Sequence, residues 1–179
     1  MLLYLHRIIY LIFFLTALLS SACSKENDEE QGKKEEPDKP VIIELPQVVI
    51  NTPNNQEIKS KTEWIEGATI TITLADGTID YESKDLEIRG RGNTTWEYPK
   101  KPYALKLGSK AEILGMPKHK RWVLLANWMD RTLMRNDVSF EIARQTGLAW
   151  TPRGKFVELV LNGKIMGNYY LCEQIKVDK

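Results

Sequence analysis

The sequence is poor in cysteine and histidine, with only two of each among 179 residues. No Cys/His cluster of the kind that binds a metal is present, and no internal disulfide framework is expected. Cys172 lies in an apolar, strand-like pattern, which favours a buried and inert thiol. His119 stands between two lysines, where we expect a solvated polar loop. The sequence therefore predicts no metal site.

An excess of charge of one sign is also missing, since 25 basic residues face 24 acidic ones and the net charge is +1. A broad basic field carries proteins onto nucleic acid, so no nucleic-acid partner is predicted. No nucleophile elbow and no carboxylate dyad is present, and no catalytic residue is predicted. The five tryptophans and seven tyrosines, in contrast, suggest one folded domain with a sizeable core.

No apolar run is long enough to span a bilayer as a helix, because the longest covers only residues 8–19. It ends in small residues before Cys23, which is the layout of a secretory signal. Cys23 resembles a bacterial lipoprotein processing site, although Ser20 stands where an aliphatic residue is usual. A plain secretory signal is the alternative. We predict a lipoprotein signal peptide at 1–22 and a lipid anchor on Cys23, at the outer membrane or cell surface.

The next segment, residues 24–39, carries seven acidic and four basic side chains and neither an aromatic nor an aliphatic one. Such a segment buries too little surface to fold, so residues 23–40 are predicted to be a disordered acidic tether. Its early acidic cluster resembles the signals that follow the cysteine in surface lipoproteins of Bacteroidetes; a simple spacer is the alternative. Residues 41–179 then form the predicted domain.

Most of this domain has the periodicity of strands. Residues 69–74 alternate strictly, and Asn162-Gly163 is a strong hairpin signal in the last part of the chain. One helix is predicted from apolar residues at every fourth position, which we expect to be buried: Met134, Val138 and Ile142. The fold class predicted is α+β, β-rich, with one main helix and a C-terminal β-hairpin.

A glycine turn, Gly90 and Gly92, precedes a predicted strand that carries Lys106. This layout cradles nucleotide phosphates in protein kinases. Glu141 shares the predicted buried helix face and therefore needs a cationic partner, which Lys106 would provide. Each feature also has a simpler explanation: a structural turn, a solvent-facing lysine, and a glutamate that pairs with Arg144 or faces water.

Three arginines add potential phosphate contacts: Arg89, Arg91 and Arg135. Structural ion pairs with nearby acidic residues, namely Asp85, Glu87 or Asp137, are at least as plausible for them. Asn93 adds hydrogen-bonding groups beside the glycine turn.

Several short blocks occur in a fixed order along the chain. They include Arg-Gly-Asn-Thr-Thr-Trp (91–96), Lys-Lys-Pro-Tyr (100–103), Leu-Gly-Met-Pro (114–117), Trp-Val-Leu-Leu-Ala-Asn (122–127), Leu-Met-Arg-Asn (133–136), Thr-Pro-Arg (151–153) and Glu-Gln-Ile-Lys (173–176). Together they resemble the spore-coat protein H (CotH) kinase family over residues 45–179, with Thr94 in place of an expected serine. The resemblance implies a kinase-like N-terminal lobe, and the use of ATP and Mg²⁺ to phosphorylate serine on surface proteins.

The resemblance also implies roles for individual residues. Nucleotide binding would involve Gly90, Arg91, Gly92, Asn93, Lys106 and Glu141, and the hinge that meets adenine would lie at Glu173, Gln174 and Ile175. The family's catalytic and metal-binding aspartates have no counterpart before residue 179. We therefore expect a truncated domain, inactive alone, which exposes the apolar surface that a missing C-terminal lobe would cover.

An alternative from another class is a surface-anchored, β-rich binding or adhesion module. It predicts an exposed aromatic cluster, drawn from Trp96, Tyr98 and Trp150, in place of a phosphate-binding cleft. A structural envelope lipoprotein without any ligand is a third possibility.

Overall fold

The computed structural model describes residues 44–175, which form seven β-strands and one α-helix. The strands are β1 (Gln47–Asn51), β2 (Ile65–Thr73), β3 (Ile79–Gly90), β4 (Tyr103–Ile113), β5 (Met116–Leu125), β6 (Gly154–Leu161) and β7 (Lys164–Glu173). The helix α1 spans Arg135–Gln145. The predicted signal peptide, the tether and Cys23 lie outside the described residues. In the part that is described, no helix has the length and apolar character needed to cross a membrane.

The strands close into a barrel in the order β1-β2-β3-β4-β5-β7-β6. Neighbouring strands are antiparallel except β1 and β6, which pair in parallel, with Gln47 opposite Glu158 and Ile50 opposite Leu161. The predicted α+β class with a kinase-like lobe is therefore wrong. The domain is a closed β-barrel with one added helix, because two strands far apart in sequence pair and leave no open sheet edge.

The barrel interior is filled by alternate residues of every strand, as the period of two in a strand requires. Each of the following side chains is at most 1% exposed: Val48, Ile50, Ile70, Ile72, Leu86, Ile88, Leu105, Leu107, Trp122, Leu124, Val157, Leu159, Tyr169 and Leu171. The predicted alternation around Ile70 and Ile72 is confirmed. His119 is buried in β5, with its ring edge-on to Trp122 at 5.8 Å, so the predicted solvated loop is wrong.

A second, smaller apolar cluster lies on the outer face of β5, β6 and β7, where α1 packs. Phe140 of α1 contacts Tyr170, with ring centroids 6.3 Å apart. The Tyr170 hydroxyl donates a hydrogen bond of 2.8 Å to the Asp137 carboxylate. Cys172 belongs to this cluster, and burial raises the pKa of its thiol to about 12, in agreement with an inert cysteine.

The apolar helix face that the sequence predicts to be buried is exposed. Met134, Val138 and Ile142 are 52%, 45% and 58% exposed, and α1 has no buried residue. Leu148 and Trp150, which follow the helix, are exposed as well. Phe140 provides the apolar packing of α1 instead, so the helix shows its period-four face to the outside. Exposed apolar surface of this kind is typical of contact sites.

The predicted hairpin between β6 and β7 is confirmed, with positive φ angles at Asn162 (51°) and Gly163 (74°). Asn162 also holds the barrel closed. Its amide donates to the Ile50 carbonyl at 2.9 Å, and its Oδ1 accepts from the Thr52 amide at 2.8 Å. Thr52 is buried, so this side-chain acceptor replaces the solvent that its amide lacks.

We expect Asn162→Ala to lower the free energy of unfolding by about 2 kcal/mol, because it leaves a buried amide unpaired and puts alanine in a left-handed conformation. Asn162→Asp keeps the acceptor and the turn preference, and is expected to retain most of the stability. Urea unfolding followed by tryptophan fluorescence measures both. Equal stability of the alanine and aspartate variants would show that this side chain does not secure the closure.

Candidate functional site

A cavity of about 440 Å³ lies between two segments that lie outside the strand core. One wall is the connection from β3 to β4, including Arg91, Gly92 and Tyr98. The other wall runs from the end of β5 to the start of α1, including Trp128 and Asn136. The volume is in the range of small-molecule binding sites.

Three cationic side chains line this cavity: Arg91, Lys100 and Arg135. Arg91 is half-buried, and no carboxylate of residues 44–175 forms an ion pair with it. Burial lowers the pKa of Arg91, yet a guanidinium remains charged at any ordinary pH. The cavity therefore contains a partly desolvated positive charge that has no counterion among residues 44–175.

Lys100 is held in place at the same cavity. Its ammonium donates to the Asn168 carbonyl and lies 4.5 Å from the centroid of the Tyr169 ring. Burial lowers the pKa of Lys100. Since an ammonium has three donors and one is used here, two remain for a ligand. A carbonyl and a ring face fix the lysine without neutralising it.

Of the described residues that line the cavity, Asp130 alone carries a carboxylate, and its oxygens accept hydrogen bonds from the loop before α1 and from the first amide of the helix. Its Oδ1 accepts from the Thr132 hydroxyl at 2.7 Å and from the Thr132 amide at 3.0 Å. Its Oδ2 accepts from the Arg135 amide, the first amide of α1, at 2.8 Å. These bonds, first that from the Thr132 hydroxyl, lower the pKa of Asp130.

The loop that carries Trp128 and Asp130 is fixed by side-chain amides. Asn127 donates to the Leu133 carbonyl at 3.0 Å and accepts from the Asn136 amide group at 2.8 Å. Asn127 and Leu133 have positive φ angles of 48° and 61°. A leucine in this region costs on the order of 1–2 kcal/mol, so the hydrogen bonds hold a strained but defined conformation.

Of the predicted nucleotide-binding residues, Arg91 and Gly92 line the cavity and the other four do not. Gly92 has a φ of 89°, which explains a glycine at the turn. Gly90 is buried, and a Cβ at this position would lie 2.4 Å from the Trp96 ring. Asn93 is exposed, and its carbonyl accepts from the Trp96 amide. Gly90 therefore makes room for an aromatic ring.

The predicted pair of Lys106 and Glu141 is absent. Lys106 donates to both carboxylate oxygens of Glu87, its cross-strand neighbour, at 2.6 and 2.8 Å. Glu141 is exposed and pairs with Arg144 at 2.7 Å, which lowers the pKa of the glutamate. Glu141 therefore pairs with its helix neighbour Arg144, which was the simpler of the interpretations that the sequence left open. A role of either residue in nucleotide binding stays a prediction.

The predicted hinge residues also lie away from the cavity lining. Buried Glu173 exchanges two hydrogen bonds with the Arg153 backbone, one through its carboxylate at 2.8 Å and one through its amide at 3.0 Å. The Gln174 amide donates to the Arg121 carbonyl, and Ile175 is exposed. Both amides are already donated, and contact with adenine here stays a prediction.

Of the three arginines singled out in the sequence, Arg91 and Arg135 reach the cavity. Arg135 is exposed, with Nε 3.5 Å from the Asp130 carboxylate. Arg89 lies instead over the Trp64 ring, at 4.6 Å, and donates to the Lys61 carbonyl. The sequence analysis does not identify Lys100 as a site residue. Its position ten residues after Gly90 nevertheless indicates that it belongs to the same loop as Arg91 and Gly92.

The described side chains of this cavity are not suited to hold a magnesium ion. In residues 44–175 no group of three or more His, Cys, Asp and Glu side chains is placed to hold a metal ion. Mg²⁺ requires oxygen ligands, and the one carboxylate of the cavity is occupied by three hydrogen bonds. The cavity instead has the donor set of an anion-binding site.

We expect Gly90→Ala to lower the free energy of unfolding by about 1–3 kcal/mol, because the new methyl group overlaps the Trp96 ring. Adding Trp96→Leu removes the overlap, so the double variant is expected to be as stable as Trp96→Leu alone. Thermal unfolding of the three variants measures this. A phosphate-binding role for Gly90 would instead give a Gly90→Ala chain of unchanged stability and reduced nucleotide affinity.

Comparison with known proteins gives one family. The family model described as CotH kinase protein matches residues 88–179, which is 92 of the 179 residues. The matched stretch contains every residue that lines the cavity. Among curated proteins, none matches the chain. The match covers just over half of the chain and confirms the resemblance seen in its short motifs, and the chain belongs to the CotH kinase family.

Proposed function

We propose that this member of the CotH kinase family binds the phosphate groups of ATP in the cavity lined by Arg91, Lys100 and Arg135. In this proposal the bound nucleotide serves ATP-dependent phosphorylation of serine residues on surface proteins. The observation that carries it is the half-buried Arg91 guanidinium, which has no ion-pair partner in residues 44–175. A cation that is partly desolvated and unpaired is stabilised by an anionic ligand.

The chemistry of the lining supports a nucleotide over a simple anion. Arg91 presents a planar fork suited to two oxygens of one phosphate, and Lys100 and Arg135 add two further cations. Tyr98 and Trp128 line the same cavity and offer aromatic faces for a base. Family membership, shown by the matched model, favours ATP among possible polyphosphates.

Phosphoryl transfer needs more than the described residues provide. It requires a carboxylate to orient the serine hydroxyl and carboxylates to hold Mg²⁺. Asp130 is committed to its loop, and we propose that these groups come from another folded unit. The exposed apolar side chains of α1, with Leu148 and Trp150, offer a surface for its docking.

The alternative of an adhesion module is less well supported. It predicts an exposed cluster of Trp96, Tyr98 and Trp150, but only Trp150 is exposed. Trp96 packs over Gly90 and receives the Lys101 ammonium at 5.3 Å from its ring centroid, and Tyr98 lines the cavity. Two of the three rings therefore belong to the loop that forms the cavity.

We expect Arg91→Gln to weaken ATP binding by about tenfold or more, because a charge-assisted hydrogen bond contributes about 1.5–3 kcal/mol. Isothermal titration calorimetry on the full chain measures it. Arg121→Gln is the matched control, since Arg121 is exposed on β5 and does not line the cavity. Lys106→Gln is a third arm: a larger loss there than in Arg91→Gln would place the nucleotide at the strand lysine and overturn this assignment.

We further propose that the chain is a secreted lipoprotein, held at the outer membrane or cell surface through Cys23 and the acidic tether. The sequence pattern before Cys23 supports this. Metabolic labelling with an alkyne-bearing fatty acid in a Gram-negative host is expected to mark the wild-type chain but not Cys23→Ser. Cys172→Ser serves as the control, because Cys172 is buried and should not be acylated. Equal labelling of wild type and Cys23→Ser would contradict the anchor.

A further inference from the structure

We infer that the cavity binds its triphosphate ligand as the metal-free anion, so that Mg²⁺ does not raise the affinity of this chain for ATP. The inference rests on the proposed function, because it concerns the same cavity and the same ligand. It separates nucleotide capture from the magnesium-dependent step that the family's chemistry requires. It starts from a mismatch between the cavity lining and the ligands that a magnesium ion needs.

The described lining of the cavity offers few oxygen ligands for a magnesium ion. Magnesium takes oxygen ligands, most often one or two carboxylates in addition to phosphate oxygens. Among residues 44–175 the cavity lining contains one carboxylate, Asp130, against the three cations Arg91, Lys100 and Arg135. No group of three or more His, Cys, Asp and Glu side chains in residues 44–175 is placed to hold a metal ion. A magnesium ion bound here would thus rely on phosphate and water alone, surrounded by positive charge.

The Asp130 carboxylate is held by hydrogen bonds within its own loop and to the start of α1. Its two oxygens accept from the Thr132 hydroxyl, the Thr132 amide and the Arg135 amide. Turning this carboxylate towards a metal would break its hydrogen bonds to Thr132 and to the first amide of α1, which hold the loop between Trp128 and Asn136. The same bonds lower the pKa of Asp130, as expected for an acceptor that is already well satisfied.

The charge of the cavity lining also favours metal-free ATP over its magnesium complex. Metal-free ATP carries about four negative charges near neutral pH, and magnesium cancels two of them. Among residues 44–175 the lining carries three cations and the ionised Asp130 carboxylate, a net charge of +2, which attracts the more highly charged metal-free form more strongly. Arg91 and Lys100 are both half-buried and therefore partly desolvated, so each is stabilised by an anionic ligand. The protein side chains thus take over the neutralisation that magnesium performs elsewhere.

The experiment is a calorimetric titration of the full chain, at fixed ionic strength, with ATP in EDTA and with ATP in excess Mg²⁺. We expect the affinity in EDTA to equal or exceed that in Mg²⁺, by up to about tenfold given the two additional charges. Inorganic tripolyphosphate in EDTA is expected to bind, whereas adenosine binds far more weakly. These two probes show whether the phosphates or the nucleoside provide the affinity.

Three variants make the comparison specific. Arg91→Gln is expected to reduce the preference for EDTA, whereas Arg121→Gln should leave it unchanged. Asp130→Asn tests the carboxylate directly: it is expected to lower the thermal stability, yet to leave the ratio of the two affinities within about twofold of wild type. A wild-type chain that binds ATP more tightly in Mg²⁺ than in EDTA, with that gain lost in Asp130→Asn, would show that Asp130 is a metal ligand and would overturn the inference.

The remaining outcomes separate the inference from the proposed function. Tighter binding of ATP in Mg²⁺ than in EDTA, with sensitivity to Arg91→Gln, overturns the inference and leaves the nucleotide site standing. Absence of binding under both conditions overturns both. Equal or tighter binding in EDTA that depends on Arg91 supports both.

Discussion

The parallel pairing of β1 with β6 is the constraint on which the rest of the structure depends. It is the one parallel contact in the described sheet, and it joins Gln47–Ile50 to a strand more than a hundred residues later. With this contact every strand has a hydrogen-bonded neighbour on each side, and the sheet has no free edge. A rigid barrel then holds the connection after β3 and the end of β5 in fixed positions, so that Arg91 and the Asp130 loop face one cavity.

Local features of the fold could be read from the sequence, and long-range ones could not. Strict alternation identified Ile70 and Ile72 as core residues, and Asn162-Gly163 identified a hairpin. Closure depends on which strands meet, and that information is not in any local period. The face of α1 was mistaken for the same reason. A period-four apolar pattern shows that a helix has such a face, but not whether the chain itself covers it.

The candidate site was partly predictable. Arg91 and Gly92 were found because a glycine turn with an adjacent arginine has a recognisable chemistry. The partner of Lys106 was not, because it depends on strand register: Glu87 lies directly across from it and pairs at 2.6 Å. Glu141 likewise pairs with Arg144, which lies three residues further along the same helix. Lys100 could not be identified from the sequence, because the Tyr169 ring and the Asn168 carbonyl that contact its ammonium are brought close to it only by the fold.

The attachment of α1 has a consequence for how this molecule opens. The helix contacts the strands through the Phe140 ring and the hydrogen bond from Tyr170 to Asp137, whereas each strand is bonded along both edges. Regions with few buried contacts unfold locally at a fraction of the global free energy. The helix with Arg135 and Asn136 can therefore detach while the barrel keeps Arg91 and Lys100 in place. The part of the cavity wall formed by Arg135 and Asn136 therefore opens more readily than the part formed by Arg91 and Lys100.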